Sequence, residues 1–577
     1  MCLFAIQSNP KKKPGKKQST ASALIFALAT MASSDRRCYH LGIDCGTQGL
    51  SVVLCDGSVP SHRVLAVGEG SYDMLPVPPS ADQSQGQICE QNPSDWIDAL
   101  RSAMVDLGQK MTSSSPSSSS SWEDRIASIG ITGQMHGETL LSSSSKELRA
   151  SRLWCDGRNT AEGDELTALF GVKVPKRCTI ARFLWTMRNQ PDVAEQTRHI
   201  TTPAGYIAHS LTGEHLLGVG EASGMFPISQ STLDYDGDMI AKFDALVAKE
   251  FGKNTSILDY LPKVRLAGMD GGTLTAEGAA ILGLSEDFAN LNAIPVAPAE
   301  GDQVAALAGS LIADPGQVSC SFGTSVCANS VGDRPFQGVS AAVDHFCAAD
   351  GRPINMVWLV NGTTFMNTTV EMFGSATGMS RSDSFAAIMP KVLEAPVDCG
   401  GLLALPFMHD EPGLNVTKAG LSGLHGLNTT NATAGNAVKA ALLSVMFNLQ
   451  LGSDVLTDQG YPRTELILSG GVTKTPELGQ ILADVFNAKV TLFDSAEEGT
   501  AWGAALMGAY RHSVLQSNSN GADGGESRQE SWSDYLARVD KGEVNVQYLP
   551  DASRHEAYNE VYERYKQLVK DVVIQST

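Results

Sequence analysis

Residues 39–55 read YHLGIDCGTQGLSVVLC, and the reading of this stretch decides the fold. Tyr39–Ile43 and Leu50–Cys55 are short apolar runs separated by Asp44-Cys-Gly-Thr-Gln-Gly49. Such runs bounded by Gly predict two strands joined by a turn. Gly46 and Gly49 permit positive φ and let backbone N–H groups approach an anion. Thr47 adds a hydroxyl, and Asp44 sets a carboxylate where a metal–phosphate complex would sit. The chemistry returns at Val318–Phe322, a predicted strand ending in Gly323-Thr-Ser325. Each turn alone is a plain hairpin. Two of them, with Ser469-Gly-Gly471 before a predicted helix Pro476–Phe486, point to phosphate binding, because helix N-termini also attract anions.

Outward from these turns the chain alternates strands with helical segments, as an α/β architecture should. Ile126–Thr132 reads as an apolar strand, and Pro295–Pro298 as a strand leading to a small-residue helix, Val304–Leu311. Glu465–Leu468 and Val490–Phe493 are further strands, and Glu497–Tyr510 is a helix dotted with Gly and Ala. A strand–turn–strand unit followed later by strand–helix occurs twice, which implies two related halves. A length of 577 residues also exceeds what one core usually supports.

Net charge is -20, which argues against a nucleic-acid partner, since that needs a basic footprint. Eleven cysteines, none in a C-x-x-C pair and none in a zinc-spaced cluster with histidine, read as reduced thiols. No uninterrupted apolar run approaches the roughly 20 residues of a membrane span. Residues 1–37 hold seven Lys/Arg and one Asp, followed in part by the apolar stretch Ala21–Ala32. That order allows organelle targeting, while Met31 offers an alternative start; the expected location is otherwise the cytoplasm. Ser113–Ser121, Ser142–Ser145 and Gln516–Ser531 are too polar to bury and read as solvated loops. The second of these is expected to turn a hairpin between Thr139–Leu141 and Arg152–Trp154. Six Asn-x-Ser/Thr sequons, among them Asn361 and Asn431, decide nothing about secretion.

Two residues stand out for chemistry. Asp302, between Gly301 and Gln303, opens a helix after an apolar segment. It reads either as a helix cap or as a general base aimed at a substrate hydroxyl. His136, in Gln134-Met-His-Gly137, follows the strand Ile126–Thr132 and is either a loop histidine or a ligand contact at a strand end. No P-loop and neither H-R-D nor D-F-G occurs, so a nucleotide enzyme here belongs to neither class.

Tyr39-His-Leu-Gly-Ile-Asp-Cys-Gly-Thr47, Glu90-Gln-Asn-Pro93 with Trp96, Gly133-Gln-Met-His136 and Trp154-Cys-Asp-Gly-Arg158 come first in order. Gly301-Asp-Gln303, Ser321-Phe-Gly-Thr-Ser325, Ser469-Gly-Gly471 and Glu497-Glu-Gly-Thr-Ala-Trp-Gly-Ala-Ala505 follow. This series resembles the FGGY family of carbohydrate kinases from Tyr39 to about Tyr510. Gln134-Met-His-Gly137 and the tail Leu549–Tyr558 look most like the family's xylulokinase branch.

The resemblance implies two actin-like (ribonuclease H-like) domains around a central nucleotide/sugar cleft. Residues 38–310 would form the sugar side and 311–577 the ATP side with a C-terminal helical tail, after an extension at 1–37. It implies ATP-dependent phosphorylation of D-xylulose with Mg²⁺; ribulose, sedoheptulose or glycerol as acceptor, or a non-catalytic nucleotide-binding protein, stay open. By the resemblance, Asp302 matches the catalytic base, and Met135, His136 and Gln303 match sugar contacts. Asp44, Gly46, Thr47 and Gln48 match the first phosphate motif, with Asp44 facing the metal through water. Gly323 and Thr324 match the second phosphate motif, and Gly470, Gly471 and Thr475 the adenosine motif. The expected partners are a ketose and ATP, without membrane or nucleic acid, and a homodimer is allowed. Two departures stand out. Ser51 replaces the family's Lys or Arg four residues after Thr47, and Met408-His-Asp-Glu-Pro412 lacks the usual Arg of this branch.

Overall fold

The computed structural model describes residues 38–78, 86–114, 121–285, 288, 292–470, 475–493, 499–520, 530–540 and 544–576. The extension 1–37 and the core of the first serine run, 115–120, lie outside them. Two sheets organise the chain. The first has strands β1 (Tyr39–Cys45), β2 (Gly49–Asp56), β3 (Arg63–Ser71), β4 (Ile126–Gly133) and β5 (Glu300–Gly301), in the order β5-β4-β1-β2-β3. β1, β2 and β3 form an antiparallel meander, and β4 and β5 join in parallel. Every residue of β4 is buried, as expected for a parallel strand covered on both faces.

The second sheet repeats the plan. Its strands are β6 (Gly316–Phe322), β7 (Val326–Val331), β8 (Val343–Cys347), β9 (Pro353–Leu359), β10 (Arg463–Gly470), β11 (Lys489–Phe493) and β12 (Val544–Tyr548). They lie in the order β8-β9-β7-β6-β10-β11-β12. β6, β7 and β9 form the meander, while β10 and β11 run parallel to β6. The duplication read from sequence is therefore a duplicated ribonuclease H-like topology, in which β6 answers β1 and β10 answers β4.

Six helices position the site: α1 (Pro93–Ser114), α2 (Thr179–Asn189), α3 (Val219–Met225), α4 (Asp302–Gly309), α5 (Ala434–Asp458) and α6 (Gly499–Asn520). The chain reaches α6 from the second sheet, yet α6 lies on the first. A Cβ added at Gly42 would fall 2.0 Å from the Ala501 carbonyl oxygen, and one at Gly130 1.7 Å from that of Ala504. Only glycine lets helix and sheet backbones come this close. Conversely α4, which follows the first sheet, buries Val304 and Leu307 in a cluster with Val331, Ile354, Met356 and Ile467 of the second. The two halves thus exchange helices at their junction.

Three local expectations are corrected. Thr139–Leu141 pairs with His199–Thr201, and Ser151–Arg152 with Glu90–Gln91, so the arms flanking Ser142–Ser145 touch only at isolated bridges. The arms are too short to form their own ladder against these competing partners. The segment 295–298 contributes only isolated bridges, Val296 to Ile129 and Pro295 to Thr273, and the ladder forms at β5 instead, since proline has no N–H to donate. The start of Gln516–Ser531 is helical, because α6 runs to Asn520 where no Gly or Pro interrupts it; 521–529 lie outside the described residues. Among the described residues one helix, α5, is long and apolar enough by composition to cross a membrane. It is the core helix of the second half, with Val438, Val445 and Met446 wholly buried.

Candidate functional site

The register Asp44↔Ser51 and Cys45↔Leu50 closes the first hairpin, leaving Gly46, Thr47 and Gln48 as its tip. The tip is tied from behind. The Tyr72 hydroxyl lies 2.5 Å from the Gly46 carbonyl oxygen and 3.0 Å from that of Gly49. Gln91 Nε2 donates to the Thr47 carbonyl (2.8 Å), and Trp154 Nε1 donates to Thr47 Oγ1 (3.0 Å). Asp44 Oδ2 accepts the hydroxyl of Thr500, the second residue of α6. Its Oδ1 is buried without a hydrogen-bond partner among the described residues. Burial raises the Asp44 carboxyl above the ordinary range, partly countered by Thr500.

Asp302 opens α4. The cap position belongs to Gly301, and no side chain caps the helix, so the carboxyl of Asp302 is not spent on capping. Burial first, and the charge of Asp44 second, push it up to about 7, against hydrogen bonds from Gln303. Gln303 Nε2 stands 3.4 Å from Asp302 Oδ1, while its Oε1 accepts from Asn329 Nδ2 on β7 at 2.8 Å. The Asp302 carboxyl thus feels the charge of Asp44, brought near it from the other end of the first half.

Gln134-Met-His136 leaves the end of β4. His136 has φ 66°, a left-handed conformation, and its Nδ1 lies 3.0 Å from the Gly224 carbonyl oxygen at the end of α3. Since a carbonyl only accepts, Nδ1 carries the proton and Nε2 keeps the lone pair in the neutral ring. Burial, then the Arg177 charge, lowers the imidazole to about 3, so the ring is neutral at any ordinary pH. Met135 is buried against the backbone of Gly301: a Cβ there would fall 2.2 Å from Met135 Cγ and 2.4 Å from Glu221 Oε2.

The second turn mirrors the first. Thr363 donates to the Gly323 carbonyl from N (2.8 Å) and Oγ1 (2.9 Å), and Gly362 N donates to the Thr324 carbonyl (2.9 Å), leaving Thr324 exposed. Gly470 pairs with Phe322 just as Gly133 pairs with Cys45. Each half thus presents its hairpin tip and the end of its first parallel strand at one edge. Thr475 begins the turn into the helix Leu478–Phe486, its carbonyl accepting from Leu478 N at 3.1 Å. Gly471 lies outside the described residues.

Residues 39–309 match the model of the FGGY family of carbohydrate kinases, N-terminal domain, and residues 318–512 match that of the C-terminal domain. The chain belongs to the FGGY family of carbohydrate kinases. The kinase is 26% identical to a xylulose kinase of Haemophilus influenzae over 91% of this chain and 98% of that one. It is 25% identical to a xylulose kinase of Escherichia coli over 92% and 99%. A crystal structure of xylulose kinase from Rhodospirillum rubrum superposes with a TM-score of 0.73, at 22% identity over 92% of this chain and 99% of that one. The two-domain actin-like fold and the phosphotransferase class, with an alcohol group as acceptor, follow.

Sequence reading missed several groups of the kinase that contact or act on Asp44, His136, Asp302 and Gln303. Arg177 forms an ion pair with Asp344 of β8, which Lys173 also meets at 2.7 Å; burial lowers Arg177 to about 10. Glu221 of α3 is fully buried, and burial raises its carboxyl well above the usual range, Asp302 and Glu300 adding to the effect. Glu300, raised to about 8 by burial, accepts from the N–H groups of Glu221 (2.7 Å) and Gly220 (3.2 Å). Asn329 and Thr500 complete the set. No local pattern marks any of these residues, because their partners are distant in sequence. In the variant loop, the Glu411 carboxylate accepts from Val360 N (3.0 Å), Asn361 N (2.9 Å) and Asn361 Nδ2 (3.1 Å). The loop is thereby clamped to the end of β9, and Asn361, like Asn431, is too buried to serve as a glycan acceptor.

Proposed function

We propose that the kinase transfers the γ-phosphoryl group of ATP to the terminal hydroxyl of D-xylulose, giving D-xylulose 5-phosphate. The observation that carries this reading is Asp302, held near pKa 7 at the start of α4 beside Gln303 and opposite Asp44. A base with that pKa is half ionised at neutral pH and matched to taking a hydroxyl proton. His136, neutral and fixed through Nδ1, offers Nε2 as acceptor to a ketose hydroxyl, and Met135 supplies an apolar wall. Gln303, steadied by Asn329, orients both the sugar and the base. The likeness to xylulose kinases over more than nine-tenths of the chain supports the choice of sugar.

The residues fit ATP with Mg²⁺. Asp44 Oδ1 is a buried carboxylate oxygen without a partner among the described residues, which suits a water held by a divalent cation. ATP supplies the phosphoryl group, and Mg²⁺ offsets its charge. Gly46, Thr47 and Gln48 at one tip, and Gly323 and Thr324 at the other, would bind the phosphates. Gly470, Gly471 and Thr475 would hold the adenosine. Phosphoryl transfer needs positioning and charge balance more than covalent help, and closure of the two halves would exclude water.

ATP consumption should be measured against D-xylulose, D-ribulose, sedoheptulose and glycerol. The expected outcome is the highest kcat/KM with D-xylulose. A higher value with any other acceptor overturns the sugar assignment, and no turnover with any of them overturns the catalytic reading.

A further inference from the structure

Arg182 stands on α2 one turn after Thr179, so both side chains leave the helix on one face. It is fully buried. Among the described residues each of its hydrogen bonds goes to a backbone carbonyl. Nη1 donates to the carbonyl of His136 at 3.1 Å and to that of Arg177, and Nη2 donates to that of Trp154 at 2.7 Å. A longer contact of 3.4 Å reaches the Asp156 carbonyl. The carboxylates nearby are held by other cations, Asp156 by Arg152 and Arg158, and Glu138 by Arg149. Taking a guanidinium out of water is costly, and a carboxylate partner is the usual offset. Arg182 spends its donors on separate chain segments instead.

Two of those segments end at the site. His136 holds φ 66°, a conformation that a residue other than glycine keeps only where its surroundings impose it. Its carbonyl is fixed twice, by Arg182 and by Thr179 Oγ1 at 3.2 Å, and its Nδ1 is fixed by the Gly224 carbonyl. With backbone and ring both held, the direction of Nε2 is set. Trp154 is partly exposed. Arg182 holds its carbonyl, and its indole N–H holds Thr47 Oγ1 at 3.0 Å. One planar guanidinium thus ties the end of β4 to the tip of the first hairpin.

We infer, on the reading of His136 as a sugar contact and Thr47 as a phosphate contact, that Arg182 is a positioning residue that sets His136 for the sugar and, through Trp154, Thr47 for the phosphates. The role requires the fork of an arginine. Its N–H groups lie in one plane and reach two carbonyls at a fixed separation, whereas a lysine ammonium is a point donor on a flexible stem. Burial, then the charge of Arg152, lowers the guanidinium to about 10, so it is still a cation at neutral pH.

Steady-state kinetics of the full-length protein, with the best acceptor of the substrate panel, and thermal unfolding should be measured for wild type, Arg182→Lys, Thr179→Val, Trp154→Phe and His136→Asn. Arg182→Lys should raise the KM for the sugar roughly tenfold to a hundredfold and the KM for ATP roughly twofold to tenfold. Thr179→Val loosens only the His136 end and should raise only the sugar constant; Trp154→Phe should raise only that for ATP, each by roughly twofold to tenfold. Combined with Arg182→Lys, Trp154→Phe should add little further rise. A structural role alone would lower the melting temperature and the amount of active enzyme and leave both KM values unchanged, and that result overturns the inference. If Arg182→Lys does not fold, Thr179→Val and Trp154→Phe decide: the split between the two constants supports the inference, and its absence overturns it. An unchanged sugar KM in His136→Asn overturns the sugar role of His136 and the inference with it. A raised KM there, with an unchanged one in Arg182→Lys, overturns the role of Arg182 alone.

Discussion

Thr500 hydrogen-bonds Asp44 across 456 residues of sequence. The helix it opens, α6, is reached from the second sheet, while Asp44 ends a strand of the first. Gln303, the second residue of α4, returns the relationship by accepting from Asn329 of the second sheet. Each half therefore sends the start of one helix against the glycine hairpin of the other, Thr500 to Asp44 of β1 and Gln303 to Asn329 of β7.

Asp302→Asn should lower kcat by roughly 10²–10⁴-fold, the range of a lost general base, while calorimetry still detects ATP binding. It should also stabilise the fold in a pH-dependent way. The unfolded Asp ionises near 3.9 and the folded one near 7, so the native state holds the extra proton between these values. Stability therefore falls as pH rises through that window. The melting temperature of the variant should exceed that of wild type more at pH 8 than at pH 5; an equal difference at both would contradict the assigned shift.

The pH profile of kcat/KM for the sugar should rise through about pH 7, as Asp302 loses its proton. Asp44 is the second cause of that high value, so Asp44→Asn should move the midpoint to lower pH in whatever activity is left. A midpoint that stays fixed would show that burial alone sets it.

Asn329→Ala removes the donor that holds Gln303 Oε1. One such bond contributes about 0.5–1.5 kcal/mol, so the KM for the sugar should rise roughly twofold to tenfold while the KM for ATP changes little. Equal changes in both constants would argue for a general loosening of the junction.

Gly130→Ala tests the approach of α6 to the first sheet. The new methyl would fall 1.7 Å from the Ala504 carbonyl oxygen, and backbone has no side chain to move aside. Overpacking of this kind costs about 1–3 kcal/mol or more, and thermal unfolding should show the loss directly. An unchanged melting temperature would mean that α6 is not seated on β4.

Ser51 pairs with Asp44 across the first hairpin, so both side chains share the face that α6 covers. A lysine there would bring a cation beside Asp44 and the phosphates. Ser51→Lys should lower the KM for ATP, with a gain that shrinks as salt rises. Steady-state kinetics at two ionic strengths would show no change at either if residue 51 does not sense the nucleotide.

Much of the kinase was legible in residues 39–55 and 318–325, because strand–turn–strand is a local property. A short apolar run and a glycine tip are written within a dozen positions, and their recurrence determined that there are two like halves. The places of Asp302, Met135 and His136 in the fold were legible for the same reason: each stands just after a strand or at the start of a helix that its neighbours predict. Tertiary structure alone decided the rest. Thr500, Asn329, Arg177 and Glu221 enter the site through partners far along the chain, and no local pattern records which helix crosses to which sheet. It also decided the state of the Asp302 carboxyl. Its pKa is raised to about 7 because folding removes its water and brings the charge of Asp44 near it, and both are effects of distance in space, not along the chain.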